Sequence, residues 1–156
     1  IWKKFGIALL IKAGKGLVVR TPSAKVNFWK TGVFWKKAFT NVLFVFEGMF
    51  DMFSARHLNL FDPTGVDLLC LNSTNNLTEK VLQQIEQYKK IYLCLDNDVS
   101  GKATTQKIIW YLMRDGIKRD IYIANFVGKD LNEALVKGNK IVFAKLPEQA
   151  VIPARE

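Results

Sequence analysis

Cysteine and histidine are almost missing from this chain, and their scarcity removes whole classes of chemistry. Two cysteines, Cys70 and Cys94, cannot build a disulfide framework. With the single histidine, His57, they cannot supply the four ligands of a structural zinc site either. One histidine also excludes metal chemistry of the HExxH kind. No apolar run approaches the roughly 18 residues that a membrane span needs. With 49% hydrophobic and 24% charged residues the chain is not disordered, and 156 residues suffice for one well-packed domain but not two. What remains is a basic α/β-type domain, expected to be soluble and cytoplasmic. Trp2-Lys3-Lys4 ahead of the apolar run Phe5–Ile11 has the outline of a short targeting signal. Lys12 and Lys15, however, stand where its small-residue cleavage site belongs. The chain opens with Ile1 rather than methionine and is expected to be a piece of something longer.

Acids are absent from the first 46 residues. That stretch holds Lys3, Lys4, Lys12, Lys15, Arg20, Lys25, Lys30, Lys36 and Lys37, which accounts for the whole net charge of +9; the remaining residues balance to zero. Trp2, Phe5, Phe28, Trp29, Phe34, Trp35 and Phe39 are interleaved with these cations. Lysines that neutralise phosphates, alternating with aromatics on which bases stack, are what a single-stranded nucleic acid surface requires. The same pattern also fits a solvated basic face with a core beneath it. The charge asymmetry itself favours a polyanionic partner.

Within this basic third, Gly14-Lys15-Gly16 separates Ile7–Ile11 from Leu17–Arg20 as a hairpin turn would, and Thr31-Gly32 offers another turn. From Asn41 the pattern changes to alternating strands and helices. Val42 to Phe46 is continuously apolar, as in a strand buried on both faces. A helix from about Gly48 to His57 follows, then strands over Asp67–Leu71, Ile91–Leu95 and Ile121–Ile123. Asn76 with Glu79 three residues later reads as a helix start, with Val81, Leu82, Ile85 and Tyr88 at helical spacing. A further helix runs to Gly116 with Ile108, Ile109, Leu112 and Met113 on its apolar face, and a short one spans Leu131–Val136. Such repeats call for a parallel sheet of about four strands with right-handed crossovers. The expected organisation is a basic β-rich segment over residues 1–41, an α/β core over 42–140, and a linker or tail over 141–156.

The acids fall where an open parallel sheet builds its sites, just beyond the carboxyl ends of the strands. Glu47-Gly48 follows the first of these strands and Asp51 lies one helical turn on. Asp96 and Asp98, closed by Gly101, follow the third, and Asp130 comes after Gly128-Lys129 beyond the fourth. Carboxylates sharing a small volume repel one another, and a divalent cation is the natural compensation. Oxygen donors without histidine or thiolate suit magnesium or manganese. Simple turn capping is the plainer reading of each piece alone. An EF-hand fails because Lys107 occupies its twelfth position, and a haloacid-dehalogenase motif expects Thr or Val where Ser100 stands. Cys70 and Cys94 read as small core residues, and His57 as a helix-end surface residue.

Taken together, Glu47-Gly48-x-x-Asp51, Asp96-x-Asp98-x-x-Gly101 and Gly128-Lys129-Asp130 resemble the Toprim domain, over about Val42 to Leu135. That family joins bacterial-type DNA primases, topoisomerases and certain nucleases. Phe46 to Asp51, Leu95 to Lys102 and Lys129-Asp130-Leu131-Asn132-Glu133 resemble its primase branch, including primase-like proteins of plasmids and conjugative elements. The resemblance implies a Rossmann-like parallel sheet and Mg2+- or Mn2+-dependent nucleotidyl transfer, making RNA primers on single-stranded DNA from nucleoside triphosphates. A Toprim nuclease or a non-catalytic DNA-binding fragment stays open beside it. By the same resemblance Asp96 and Asp98 hold metal, Asp51 and Asp130 support it, and Glu47 is a ligand or proton acceptor. Lys102 and Lys129 contact triphosphate or backbone, and the basic segment with Arg20, Lys25, Lys30, Lys36 and Lys37 contacts template. A helicase or other replication proteins are implied partners, and no membrane. Val127 stands where many primases carry a further acid.

Overall fold

A computed structural model describes residues 9–13, 16–20, 25–28 and 32–147. The basic N-terminal stretch forms a separate antiparallel meander of β1 (Leu9–Ala13), β2 (Gly16–Arg20) and β3 (Lys25–Phe28). The hairpin expected between the first two is present, with Ala13 opposite Gly16. Arg20 lies on β2 and Lys25 on β3; Lys30, Thr31 and residues 148–156 lie outside the described residues.

The rest of the chain builds one six-stranded sheet. In chain order its elements are β4 (Phe34–Lys36), β5 (Val42–Phe46), α1 (Met49–His57), β6 (Asp67–Cys70), α2 (Glu79–Ile85) and β7 (Lys90–Cys94). They continue with α3 (Val99–Met113), β8 (Asp120–Asn125), α4 (Leu131–Val136) and β9 (Val142–Lys145). The spatial order is β4-β6-β5-β7-β8-β9, with β6, β5, β7 and β8 parallel and an antiparallel strand on each edge. The parallel four match the sequence reading, and an antiparallel strand is added at each edge. β4 comes from the segment expected to precede the core, and β9 from the stretch expected to be a tail. The sheet therefore reaches beyond residues 42–140 on both sides.

β5 shows why the apolar run forms a central strand. Leu43 and Val45 point into one core with Val81, Leu82 and Ile85 of α2 and Ile108 and Leu112 of α3. Phe44 and Phe46 point into the other with Met49, Met52 and Ala55 of α1 and Leu131 of α4. Both faces are covered, so the strand has no polar side to show. Cys70 and Cys94 are buried in this second core, as expected for small apolar side chains. Among the described residues no helix is long and apolar enough to cross a membrane.

One helix start is moved. Thr78, not Asn76, caps α2, its hydroxyl accepting from the Val81 amide at 3.4 Å. Asn76 belongs to a 3-10 turn over Thr74–Asn76 and donates to the Leu71 carbonyl at 2.8 Å, fastening that turn to the end of β6. Tyr88 is buried, as its spacing suggests, but lies past the end of α2.

Asp67, at the start of β6, is 2% exposed. One of its carboxylate oxygens accepts from the Ala38 and Thr40 amides at 2.9 and 3.1 Å, the other from the Tyr88 hydroxyl at 2.6 Å. Lys37 lies 3.7 Å away. Burial alone would raise the pKa of this acid, but the Tyr88, Thr40 and Ala38 hydrogen bonds and the Lys37 charge outweigh it and hold the acid below its ordinary value. Replacing Asp67 with alanine leaves several inward donors unmet and is expected to cost about 2–4 kcal/mol in urea unfolding at neutral pH. An acid with a lowered folded pKa stabilises above its unfolded value of about 4, so the difference between parent and variant should shrink as pH falls below that. A difference that grows in acid would contradict the assignment.

Candidate active site

The chain changes faces between β5 and β7. α1 leaves β5 toward the face shared with α4, whereas α3 leaves β7 toward the face shared with α2. Adjacent strands whose helices depart on opposite sides leave a crevice at their carboxyl ends, which is where open α/β sheets bind ligands. Glu47 follows β5, Asp96 and Asp98 follow β7, and Asp130 follows β8, the next strand over. Asp51 stands in the first turn of α1. The topology thus draws together all five acids picked out by motif.

Their mutual charge confirms the closeness. Asp96 is pushed up to about 7, first by burial and then by the negative charges of Asp51, Glu47, Asp130 and Asp98. Asp51, 7% exposed, is pushed up to about 6 by burial, by Asp130 and by Glu47, against the lowering effect of the Asn132 and Gly48 amides. Two acids raised well above the ordinary carboxylate range mark a site short of positive charge.

Two of the five also cap helices, and a third is bonded to a helix start. Asp98 caps α3, its Oδ1 accepting from the Gly101 amide at 2.9 Å. Asp130 caps α4, its Oδ1 accepting from the Glu133 amide at 2.7 Å. Asp51 accepts from the Asn132 amide at 3.3 Å, so the second residue of α4 steadies the acid of α1. Ser54 adds a hydroxyl bond to the Asn132 side-chain oxygen at 3.2 Å. The plain reading of these acids as turn caps is therefore correct for Asp98 and Asp130. It does not exclude chemistry, because each cap uses one carboxylate oxygen.

Gly101 is required by close approach. A Cβ there would lie 2.2 Å from the Asp96 carbonyl oxygen and 2.8 Å from its carbon, so the first turn of α3 lies directly on the Asp96 backbone. Gly128 is required by conformation, with φ of 123°.

Motif reading missed Asn97. Its amide nitrogen donates to the carbonyls of Phe126 at 2.9 Å and Gly128 at 2.8 Å, and its backbone N–H donates to Lys129 at 2.7 Å. Three inward carbonyls of the loop after β8 are thus held by the one residue between Asp96 and Asp98. Asn132 was likewise unassigned within its motif. The only signal in the sequence was their position inside acidic motifs.

Lys102 lies exposed in the first turn of α3 and Lys129 exposed beside Asp130, so both cations flank the carboxylates. Lys36 and Lys37 do not. β4 runs antiparallel to β6 with Lys36 opposite Leu68 and Phe34 opposite Cys70, which puts both lysines at the amino edge of the parallel strands, away from the acids. Lys36 donates to the Pro63 carbonyl, and Lys37 lies 3.9 Å over the Trp35 ring beside Tyr88 and Asp67. A template contact by Lys36 and Lys37 would thus lie at the opposite end of the parallel strands from the acids.

Hard oxygen donors and surplus negative charge suit a divalent cation. Among the described residues, however, no three of Asp, Glu, His and Cys are grouped as a ready-made cage.

Two outcomes are expected. Between about pH 4 and 7 the folded protein retains protons on Asp96 and Asp51 that the unfolded chain has released, so stability contributed by these acids is lost as pH rises through 6 to 7. Thermal melts without divalent metal should fall from pH 5 to 8, and Asp96→Asn should flatten that slope; a steeper slope in the variant would contradict the assignment. Asn97→Ala strands two carbonyls and should cost about 1–3 kcal/mol. Amide exchange over residues 126–130 should quicken more than in the strands, and uniform quickening would mean the clamp is not local.

A Toprim-like family model matches residues 44–135. A search of curated proteins finds 28% identity over 109 residues with the uncharacterized protein MG010 of Mycoplasma genitalium, covering 70% of this chain and 48% of that one. The chain thus spans about half the length of the curated relative it matches. Among solved structures, the primase fragment of the bacteriophage T7 primase-helicase protein superposes with a TM-score of 0.54 at 17% identity, over 79% of this chain and 52% of that one. A bacteriophage T7 lagging-strand DNA polymerase structure, interacting with primase domains of two gp4 subunits bound to an RNA/DNA hybrid and dTTP, gives 0.53 at 17% identity. That match covers 79% of this chain and 64% of the other. Over residues 44–135 this chain belongs to the Toprim-like family, and the fold it builds there is shared with the T7 primase fragment.

Proposed function

We propose that this chain is the Toprim domain of a primase-like nucleotidyltransferase, using magnesium or manganese to build RNA primers on single-stranded DNA. The observation that carries the reading is the convergence of Glu47, Asp51, Asp96, Asp98 and Asp130 at the switch point, with Asp96 and Asp51 both pushed up by burial and by the charge of neighbouring acids. A phosphoryl-transfer centre needs such a concentration of oxygen donors, because charge builds on the attacking and leaving oxygens together.

In this reading Asp96 and Asp98 hold the cation, and Asp51 and Asp130 complete its surroundings. The bound cation would neutralise the carboxylates and polarise the phosphate under attack. Asp98 keeps Oδ1 on the Gly101 amide, and the cap leaves Oδ2 for the cation. Glu47, half-buried at the end of β5, either joins the cation or takes the proton of the attacking hydroxyl. Lys102 and Lys129 meet triphosphate oxygens, Lys102 with the help of the α3 amino terminus. Arg20, Lys25 and Lys30, in the segment ahead of the core, supply template contacts.

The test is a gel of labelled nucleotides incubated with single-stranded DNA, either metal, and the protein or its Asp98→Asn variant. New short oligomers are expected from the parent, reduced at least about 100-fold in the variant. The variant should still fold, because asparagine caps a helix as well as aspartate does. Shortening of the template would reassign the chain to a nuclease. DNA binding without any product would make it a binding fragment.

A further inference from the structure

Among the described helices α3 is set apart by its charge. α1, α2 and α4 each carry an acid, Asp51, Glu79 and Glu133 in turn. From Val99 to Arg114 there is none, although residues 47–156 as a whole balance to zero net charge. The helix starts at the carboxylate site, because Asp98 is its cap. Its inner side is filled by Thr104, Ile108, Ile109, Tyr111 and Leu112, all buried. Its outer side presents Lys102, Ala103, Gln106, Lys107 and Trp110, all exposed. Trp110 keeps 42% of its surface in solvent, on a helix whose core contacts are already made by other side chains.

Helical geometry places Lys102 and Lys107 about 140° apart around the axis, with Trp110 close to midway between them. Lys102 and Trp110 are separated by about 12 Å of helix. Among the described residues no acid pairs with Lys102 or Lys107. The acid-free surface ends at Arg114, whose guanidinium lies 3.6 Å over the Tyr111 ring and within 3.9 and 3.8 Å of Glu79 and Glu86. One open aromatic ring, bordered by two unpaired cations, thus begins beside the five carboxylates and leads away from them.

We propose that the outer face of α3 is the track along which a single-stranded polynucleotide leaves the carboxylate site, with a backbone phosphate on Lys107 and a base stacked on Trp110. A strand whose reacting phosphate lies among the acids has to leave the crevice, and the acids repel the rest of its backbone. Of the two helices that start there, α4 meets it with Glu133 in its first turn, whereas α3 offers only cations. Protein interfaces shed lysine at their centre, while cations set around an aromatic ring are what a single strand needs. The inference rests on the nucleic acid substrate assigned above and adds the surface over which it runs.

The experiment is fluorescence anisotropy of labelled oligo(dT) and of an abasic oligonucleotide of the same length, over a range of salt. Parent, Trp110→Ala, Trp110→Tyr and Lys107→Gln proteins are compared, with light scattering for self-association. Trp110→Ala should weaken binding to oligo(dT) by about tenfold, as loss of one stacked base requires, and leave abasic binding unchanged. Trp110→Tyr keeps a ring and should restore most of that loss. Lys107→Gln should weaken both oligonucleotides and lower the salt slope by about 1. Equal losses on both oligonucleotides in Trp110→Ala, or an unchanged slope in Lys107→Gln, would overturn the track. Unchanged DNA binding would overturn it too, and loss of a parental dimer in the same variant would give this face to a protein contact. Failure of the parent to bind either oligonucleotide would overturn the nucleic acid reading along with the track, whereas parental binding indifferent to Trp110 and Lys107 removes the track alone.

Discussion

Carboxylates crowded into a half-buried crevice at the ends of β5, β7 and β8 repel one another, and much of the local structure can be read as the means of holding them there. Left to themselves, Glu47, Asp51, Asp96, Asp98 and Asp130 would spread into solvent. Instead the structure constrains Asp51, Asp96, Asp98 and Asp130. The Asp96 main chain is pressed against the first turn of α3 where only glycine fits, at Gly101. The loop carrying Asp130 is drawn to the loop carrying Asp96 and Asp98 by three hydrogen bonds from Asn97. α1 is joined to α4 through Ser54, Asn132 and Asp51. These are rigid-element restraints, and together they sustain a charge density that side-chain preference alone would disperse.

Helix termini lessen the cost. Asp51, Asp98 and Asp130 each sit in or before the first turn of a helix, where unpaired amides and the helix dipole favour an anion. Asp96 has no such support in its own position, and it carries the larger upward shift of the two that are raised, to about 7 against about 6 for Asp51. Capping and chemistry are thus not rival explanations for these residues. The cap fixes where one oxygen lies and does not consume the other.

The parts of this design legible in sequence are those whose signal is local and strong. The apolar run Val42–Phe46, buried on both faces, needs no partner to be recognised, and an Asp-x-Asp-x-x-Gly after an apolar strand announces both a turn and a cap. The edge strands were not legible. Phe34–Lys36 is three residues long inside a basic stretch, and Val142–Lys145 has two of its four side chains on each face with most of them exposed. Such strands exist because β6 and β8 offer them unpaired edges, not because of their own pattern. Thr78 displaced Asn76 as the α2 cap because a turn capped by Ser73 claims Asn76 first, a competition among neighbouring polar residues that spacing does not resolve. Asn97 was invisible for a different reason: its partners are carbonyls about thirty residues away, and carbonyls have no sequence.

Charge in the folded domain is sorted along the strand axis, and that sorting bears on how a polyanion could be handled. The carboxyl edge carries the clustered acids with Lys102 and Lys129 beside them; the amino edge carries Lys36, Lys37, Lys89 and Lys90. A nucleic acid arriving at the acidic edge alone meets repulsion, which a bound cation would reverse. Arrival at the basic edge needs no cation. The acids of the amino edge, Asp67 and Asp120, are each met by a lysine, whereas those of the carboxyl edge are crowded against one another. That contrast follows from where the strands begin and end, rather than from any single residue.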